Sequence, residues 1–418
     1  MLKYSHVIQS VCFITFPLLS LSHPINNVCK SYLDYPTREW NKNCHYDPLI
    51  SATIPELIVG YVYDYEDFTV ITEDGYVLGL YRLVMNTSDS AKAGVLLMHG
   101  ATVSGSIWVD RPKERCLAFR LCDRNFDVWI ANFRGTIYSN KHIHFAGNSS
   151  EYWNYSFHEI GIYDIPAILE TIYERNGGKK VFLIGISMGG TAATIYASLK
   201  PKHCEKHVKA IISMSGSIFF TGITSIYKHI SPHVYDLYKF GESIGFRNFA
   251  PSIITRFTLL RDFLTNFPPA RILMQVFLFS TFGYDSTGIH EGFYPSILGH
   301  VPAGISLKTI LHYAQLVTKE DKFDFFDNGP SENLKIYGVR DTPAYPLENI
   351  NTFFYILAGG NDTLVTPKGC RKFYDLLAED KRKMDIIEGY NHIHWLYGED
   401  LDKGFIPTID FMENNLNL

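Results

Sequence analysis

The chain has 418 residues, 46% of them hydrophobic, and a formal net charge of −5 with its Lys and Arg scattered. That length exceeds one ordinary domain, so a large core with an inserted subdomain, or two domains, is expected. The charge pattern argues against a nucleic-acid binder, and no repeat period or low-complexity tract is present.

Lys3 precedes an apolar run from Val7 to Leu21, and Ser20-Leu21-Ser22 offers small residues just before His23. This reads as a signal peptide over residues 1–22, because the run is short for a membrane span. No later stretch has the uncharged length of a transmembrane helix, and the tail is no ER-retention signal. The mature protein is expected to be soluble and exported, in the secreted or lysosomal space. Once Cys12 leaves with the leader, Cys29, Cys44, Cys116, Cys122, Cys204 and Cys370 remain. An even number in an exported chain predicts some disulfides without assigning pairs. No C-x-x-C occurs, which argues against a zinc or redox site. Sequons at Asn86, Asn148 and Asn154 suit a glycoprotein, with Asn154 set among aromatic residues.

Residues 23–60 are polar and aromatic, with a short helix around Pro55-Glu56-Leu57-Ile58. The runs Phe68–Thr72 and Tyr76–Leu83 flank Glu73-Asp74-Gly75 and predict a hairpin. Gly94–Met98 and Phe126–Asn132 are apolar runs of the kind that buried parallel strands need. Ile160–Glu174 has helical spacing and is closed by Asn176-Gly177-Gly178. A strand at Lys180–Ile184, a helix from Gly190 to Ala197 and a strand at Val208–Met214 follow. From about Ser217 to Tyr345 the rhythm breaks into a stretch crowded with Phe and Tyr, including Phe219, Tyr238, Phe257, Phe263 and Phe282. The sheet resumes at Asn351–Ala358, followed by a helix from Pro367, a strand at Met384–Ile387 and a terminal helix.

Strands alternating with helices predict an α/β fold: a mainly parallel sheet with helices on both faces, entered through an antiparallel hairpin. This is the layout of an α/β-hydrolase, with core segments at 23–216 and 346–418. Residues 217–345 read as an inserted, mostly helical cap over the strand C-terminal ends, where ligands bind in open α/β sheets.

Gly185-Ile186-Ser187-Met188-Gly189 lies between the strand and the helix, the context of a nucleophile elbow. The tight turn admits only small residues at Gly185 and Gly189, and it presents the serine hydroxyl at a helix N-terminus. A serine needs a base, and the base needs an acid to orient it. In this fold the order is serine, acid, histidine. Asp362, in Gly359-Gly360-Asn361-Asp362 after a strand, fits the acid. His392, after the last strand, fits the base, and His394 is read as a surface neighbour; a metal on this His-x-His pair is disfavoured. The backbone N–H groups of Ala101 and Met188 are the expected oxyanion donors. Asn361 is expected to stay unglycosylated, because its neighbour Asp362 must pack against the His392 loop.

These residues resemble the acid lipase family, which holds gastric lipases and lysosomal acid lipases. The resemblance spans Thr72–Leu78, Leu97–Gly100, Asn132–Gly135, Tyr152–Ile160, Tyr163–Ala167, Gly359–Asp362 and Tyr390–His392. It implies a triad at Ser187, Asp362 and His392, a cap with a mobile lid, and ester hydrolysis on water-insoluble lipid. The chain departs from the family at Ile186 and Met188 in the elbow, at Ala101-Thr102, at Phe282 in place of a cysteine, and at His394 in place of an aspartate. The expected function is a secreted or lysosomal lipase acting on long-chain esters, triacylglycerol or sterol ester, at a lipid–water interface, with no cofactor and no metal. A soluble carboxylesterase for small esters and a non-catalytic lipid-binding protein are the alternatives.

Overall fold

The computed structural model describes residues 26–84, 91–249, 267–285 and 294–418. The proposed leader, Asn86, Phe257 and Phe263 lie outside the described residues. β1 (Val28–Cys29) and β2 (Cys44–His45) form a two-stranded antiparallel pair joined by the Cys29–Cys44 disulfide across 15 residues. Closing a loop of that size stabilises by about 3 kcal/mol. Cys116, Cys122, Cys204 and Cys370 are free and buried, so one bond carries the disulfide expectation among the described residues.

The main sheet contains β3 (Asp64–Ile71), β4 (Tyr76–Val84), β5 (Gly94–Met98), β6 (Asp127–Ala131), β7 (Lys141–His142), β8 (Val181–Ile186), β9 (Val208–Met214), β10 (Phe353–Gly359) and β11 (Arg382–Ile387). Its order is β11-β10-β9-β8-β5-β6-β4-β3, with β7 beside β4. The pairings from β6 to β11 are parallel, while the β3–β4 hairpin and the β4–β6 and β4–β7 contacts are antiparallel. Strand alternation divides the apolar side chains between two cores. On β5, Leu96 and Met98 face one core, while Val95 and Leu97 face the other. The helices Ile165–Arg175 and Met188–Leu199 cover the first face. Leu117–Asp123 and Asp402–Asn414 cover the second.

The expected helix over 160–174 is present, and its first residues are wound more loosely than an α-helix. Residues Ile160–Asp164 form a π-turn ahead of Ile165–Arg175. The close neighbour is the Met188–Leu199 helix: a Cβ on Gly161 would stand 2.8 Å from Ile195 Cγ2. Asp164 at the end of this turn accepts from Arg134 Nε at 2.8 Å, while Arg134 also forks onto Asp74 in the β3–β4 turn at 2.6 and 2.9 Å. The guanidinium lies over the Tyr76 ring at 3.9 Å. Arg134 and Asp164 are buried, so removing one partner strands the other. We expect Arg134→Ala to lower unfolding stability by about 3–5 kcal/mol, read from urea melts. A loss below 1 kcal/mol would show that water replaces the guanidinium.

Residues 217–345 fall between β9 and β10 and include the helices Val234–Ser243, Pro268–Phe282, Tyr294–His300, Leu307–Lys319 and Pro330–Tyr337. They reach the loops at the sheet's C-terminal edge: Ala303 N donates to Thr102 O at 2.7 Å, and His392 N donates to Phe282 O at 3.1 Å.

Candidate active site

Four loops at the C-terminal ends of β5, β8, β10 and β11 converge here. Ser187 follows β8 directly and takes φ +50°, ψ −113°, a conformation rare for a non-glycine residue. Holding it there costs on the order of 1–3 kcal/mol, supplied by the packing around it. That packing explains the flanking glycines. A Cβ on Gly185 would stand 2.5 Å from Gly189 C, and one on Gly189 would stand 2.6 Å from Met98 O. No side chain fits at either place.

Ser187 Oγ lies 2.9 Å from His392 Nε2, and His392 Nδ1 lies 2.8 Å from Asp362 Oδ2. With Nδ1–H donating to the carboxylate, Nε2 is left as the acceptor for the serine hydroxyl. The other carboxylate oxygen of Asp362 accepts the backbone N–H groups of Leu364 at 2.9 Å and Val365 at 2.8 Å. Asp362 and His392 are buried. Gly359 permits the approach of their loops, since a Cβ there would stand 2.6 Å from Tyr390 O. The structure thus brings together three residues that are far apart in the chain.

Met188 is the first residue of the Met188–Leu199 helix, so its N–H has no partner one turn earlier. The Ala101 loop runs alongside: a Cβ on Gly100 would lie 3.4 Å from Ser187 Cβ. His99 anchors that loop. Its Nε2 accepts the N–H of Phe133 at 3.0 Å, so Nδ1 carries the proton and donates to Gly100 O at 2.8 Å. Burial pushes the His99 pKa down to about 4, against the opposing pull of the Gly100 carbonyl. An unfolded histidine titrates near ~6.5. His99 therefore stabilises the fold fully above that pH. As pH falls towards 4 the unfolded chain gains a proton that the folded chain refuses, a loss on the order of 3 kcal/mol. Urea midpoints of His99→Gln should fall less steeply between pH 7 and 4 than those of the wild type. Equal slopes would remove His99 as the source.

His394 is not a surface residue. It is buried, its Nδ1 lies 2.5 Å from Asp285 Oδ2, and its ring stacks on Tyr390 at 3.9 Å. The two histidines of His-x-His therefore point at different carboxylates, and the site in His394's position is a second His–Asp pair. Sequence reading gives Asp285 no role: it lies 109 residues from His394, and nothing in its local pattern links the two. Ser217 was also missed; its buried hydroxyl lies 3.4 Å from Ser187 Oγ. Asn148 is exposed, and so is Asn154, whose aromatic neighbours suggest partial burial: Tyr152, Trp153 and Tyr155 turn inward and leave the asparagine outside. Asn361 is half-buried and its amide donates to Tyr284 O at 3.2 Å.

A doubly covered parallel sheet with a strand–turn–helix serine at its C-terminal edge defines an α/β-hydrolase. A profile of the α/β-hydrolase fold matches residues 95–239, and one of a partial α/β-hydrolase lipase region matches residues 54–111. Gastric triacylglycerol lipase of Rattus norvegicus is 30% identical over 363 residues, covering 85% of this chain and 89% of that protein. Lipase member J of Homo sapiens is 30% identical over 382 residues, covering 87% of this chain and 100% of that protein. A carboxyl esterase from Bacillus coagulans, solved with glycerol, superposes with a TM-score of 0.51 at 12% identity, over 84% of this chain and 99% of that one; the likeness concerns the fold alone. The chain belongs to the acid lipase family of α/β-hydrolases, the group that includes the gastric lipases.

Proposed function

We propose that this protein is a secreted or lysosomal lipase that hydrolyses carboxylic esters of long-chain fatty acids, triacylglycerol among them. The observation that carries this reading is the unbroken chain from Ser187 Oγ to His392 and on to Asp362, at 2.9 and 2.8 Å. Ser187 Oγ attacks the ester carbonyl while His392 Nε2 takes its proton. Charge gathers on the carbonyl oxygen, where the N–H groups of Met188 and Ala101 receive it. The tetrahedral intermediate collapses, the alkoxide leaves with the proton from His392, and Ser187 is acylated. Water, deprotonated by His392, then releases the fatty acid and restores the serine. Asp362 keeps Nδ1 protonated and the ring aligned throughout. No step calls for a metal or an organic cofactor.

Residues 217–345 serve as the cap. Its helices Val234–Ser243 and Pro268–Phe282 leave Leu237, Phe240, Ile272, Leu273 and Val276 exposed, each at 58% or more. Apolar surface of this kind marks a lipid or protein contact, which favours a lipase over an esterase for small soluble substrates. Residues 1–22 are the signal peptide of this reading, Asn86, Asn148 and Asn154 its glycan sites, and Asn361 stays bare. Among the described residues no helix is long and apolar enough to cross a membrane.

The test is hydrolysis of emulsified triolein and cholesteryl oleate, together with velocity on a partly soluble ester taken through its solubility limit. A jump in velocity at that limit is expected. Smooth saturation across it, with no triolein turnover, would replace the lipase by a soluble esterase.

A further inference from the structure

The helix Pro268–Phe282 ends in a turn, residues 281–285, that is bonded to both loops carrying His392 and Asp362. On the base loop, His392 N donates to Phe282 O at 3.1 Å and Asn391 Nδ2 donates to Gly283 O at 2.9 Å. The Phe282 ring lies nearly parallel to the His392 imidazole, 5.6 Å between centroids at 11°. On the acid loop, Asn361 Nδ2 donates to Tyr284 O at 3.2 Å, and Thr363 Oγ1 donates to Thr281 O at 3.4 Å. The approach is so close that a Cβ on Gly283 would stand 1.9 Å from Asn361 O. One turn of the inserted segment therefore sets the position of the base and of the acid at once.

Two buried side chains close this arrangement. Asp285 comes at the far end of the turn, and its Oδ2 meets His394 Nδ1 at 2.5 Å, with both side chains at most 3% exposed. His394 begins the short helix His394–Tyr397, two residues beyond His392. Its ring is pinned on one side by Tyr390, and on another by Gly398, where a Cβ would stand 2.1 Å from the ring. A ring held on those sides has little freedom, so the carboxylate it bonds is held as well.

We infer that Asp285 and His394 form a positioning couple for the general base: their bond fixes the turn 281–285 against the His392 loop, so that the imidazole stays aligned between Ser187 and Asp362. Neither residue touches the reacting atoms. The inference rests on the reading of Ser187, His392 and Asp362 as the catalytic triad. Its energetic logic is that of preorganisation: a displacement near 1 Å of a reacting group can cost roughly 10²-fold in rate even when its cause is remote.

The experiment uses the secreted full chain and p-nitrophenyl butyrate below its solubility limit, with fluorophosphonate labelling to count active Ser187. His394→Ala and Asp285→Ala are each expected to lower kcat by roughly 10²-fold with KM within about twofold of wild type. The double variant should lose no more than either single one, since one interaction is removed in all three. His394→Asn, whose amide can still donate to Asp285, should recover at least tenfold of the loss in His394→Ala. Fluorophosphonate labelling of Ser187 should slow in step with kcat. A lowered melting temperature with wild-type kcat in the single variants would overturn the inference, as would fully additive losses in the double variant. If the alanine variants fail to fold, Asp285→Asn keeps the volume while weakening the acceptor, and wild-type kcat in that variant would overturn it equally. Absence of Ser187 labelling in the wild type would instead sink the triad reading beneath it.

Discussion

Ser187→Ala is expected to abolish ester hydrolysis, a loss on the order of 10⁶ in turnover where a triad acts as a unit, with the fold intact. Nothing structural leans on the hydroxyl. Its neighbours within reach are His392 Nε2 at 2.9 Å and Ser217 Oγ at 3.4 Å, both of which face the site. The strained backbone of the elbow is held by main-chain packing, through Gly185 and Gly189 and the Ser187 N–H to Met214 O bond at 3.0 Å. Alanine keeps all of that. A fluorophosphonate probe should label the wild type at Ser187 and spare the variant, with equal melting temperatures. Labelling at a different serine, or residual turnover within a hundredfold of wild type, would refute the elbow assignment.

Asp362→Asn is expected to lower kcat by about 10⁴-fold, the scale seen when a triad carboxylate becomes an amide. Asp362 Oδ1 accepts two backbone N–H groups, from Leu364 and Val365, and these cannot be satisfied by an amide NH2. The asparagine must therefore leave its oxygen on the backbone and turn its NH2 towards His392 Nδ1. That nitrogen becomes an acceptor, the ring proton moves to Nε2, and the atom that should receive the Ser187 proton already holds one. The loop stays in place while the chemistry stops. Turnover should be measured beside the thermal midpoint. A loss below tenfold would mean that another carboxylate orients the ring.

Much of the architecture is legible in local pattern. Gly94–Met98 is an uninterrupted apolar run because both faces of a central parallel strand are buried, and it occupies the strand its pattern predicts, while the strand expected at Lys180–Ile184 is found at Val181–Ile186, running on into the first two residues of the elbow. The short elbow glycines, the hairpin at Glu73-Asp74-Gly75 and the order of Ser187, Asp362 and His392 are likewise readable, since a tight turn or a strand's end leaves its mark within a few residues. A π-turn at Ile160–Asp164 leaves no such mark: its apolar spacing is that of an ordinary helix, and it forms beside a neighbouring helix at Gly161 and a buried guanidinium at Asp164.

His394 shows the limit most plainly. By sequence it is a polar residue two places after His392, and it reads as a surface neighbour. In the folded chain it is buried, because Asp285 reaches it from the inserted segment 109 residues earlier. The pairing of cysteines has the same character, since Cys29 and Cys44 meet through a strand pair while Cys116, Cys122, Cys204 and Cys370 are buried as free thiols. Sequence by itself determined where the strands run and that Ser187, Asp362 and His392 each follow a strand's end, because these depend on side-chain period and on steric room at single turns. Only the tertiary structure decided that His394 is buried, that Asp285 is the carboxylate it meets and how the inserted segment is fastened to the loops of His392 and Asp362, because those contacts join residues whose neighbours in sequence carry no trace of each other.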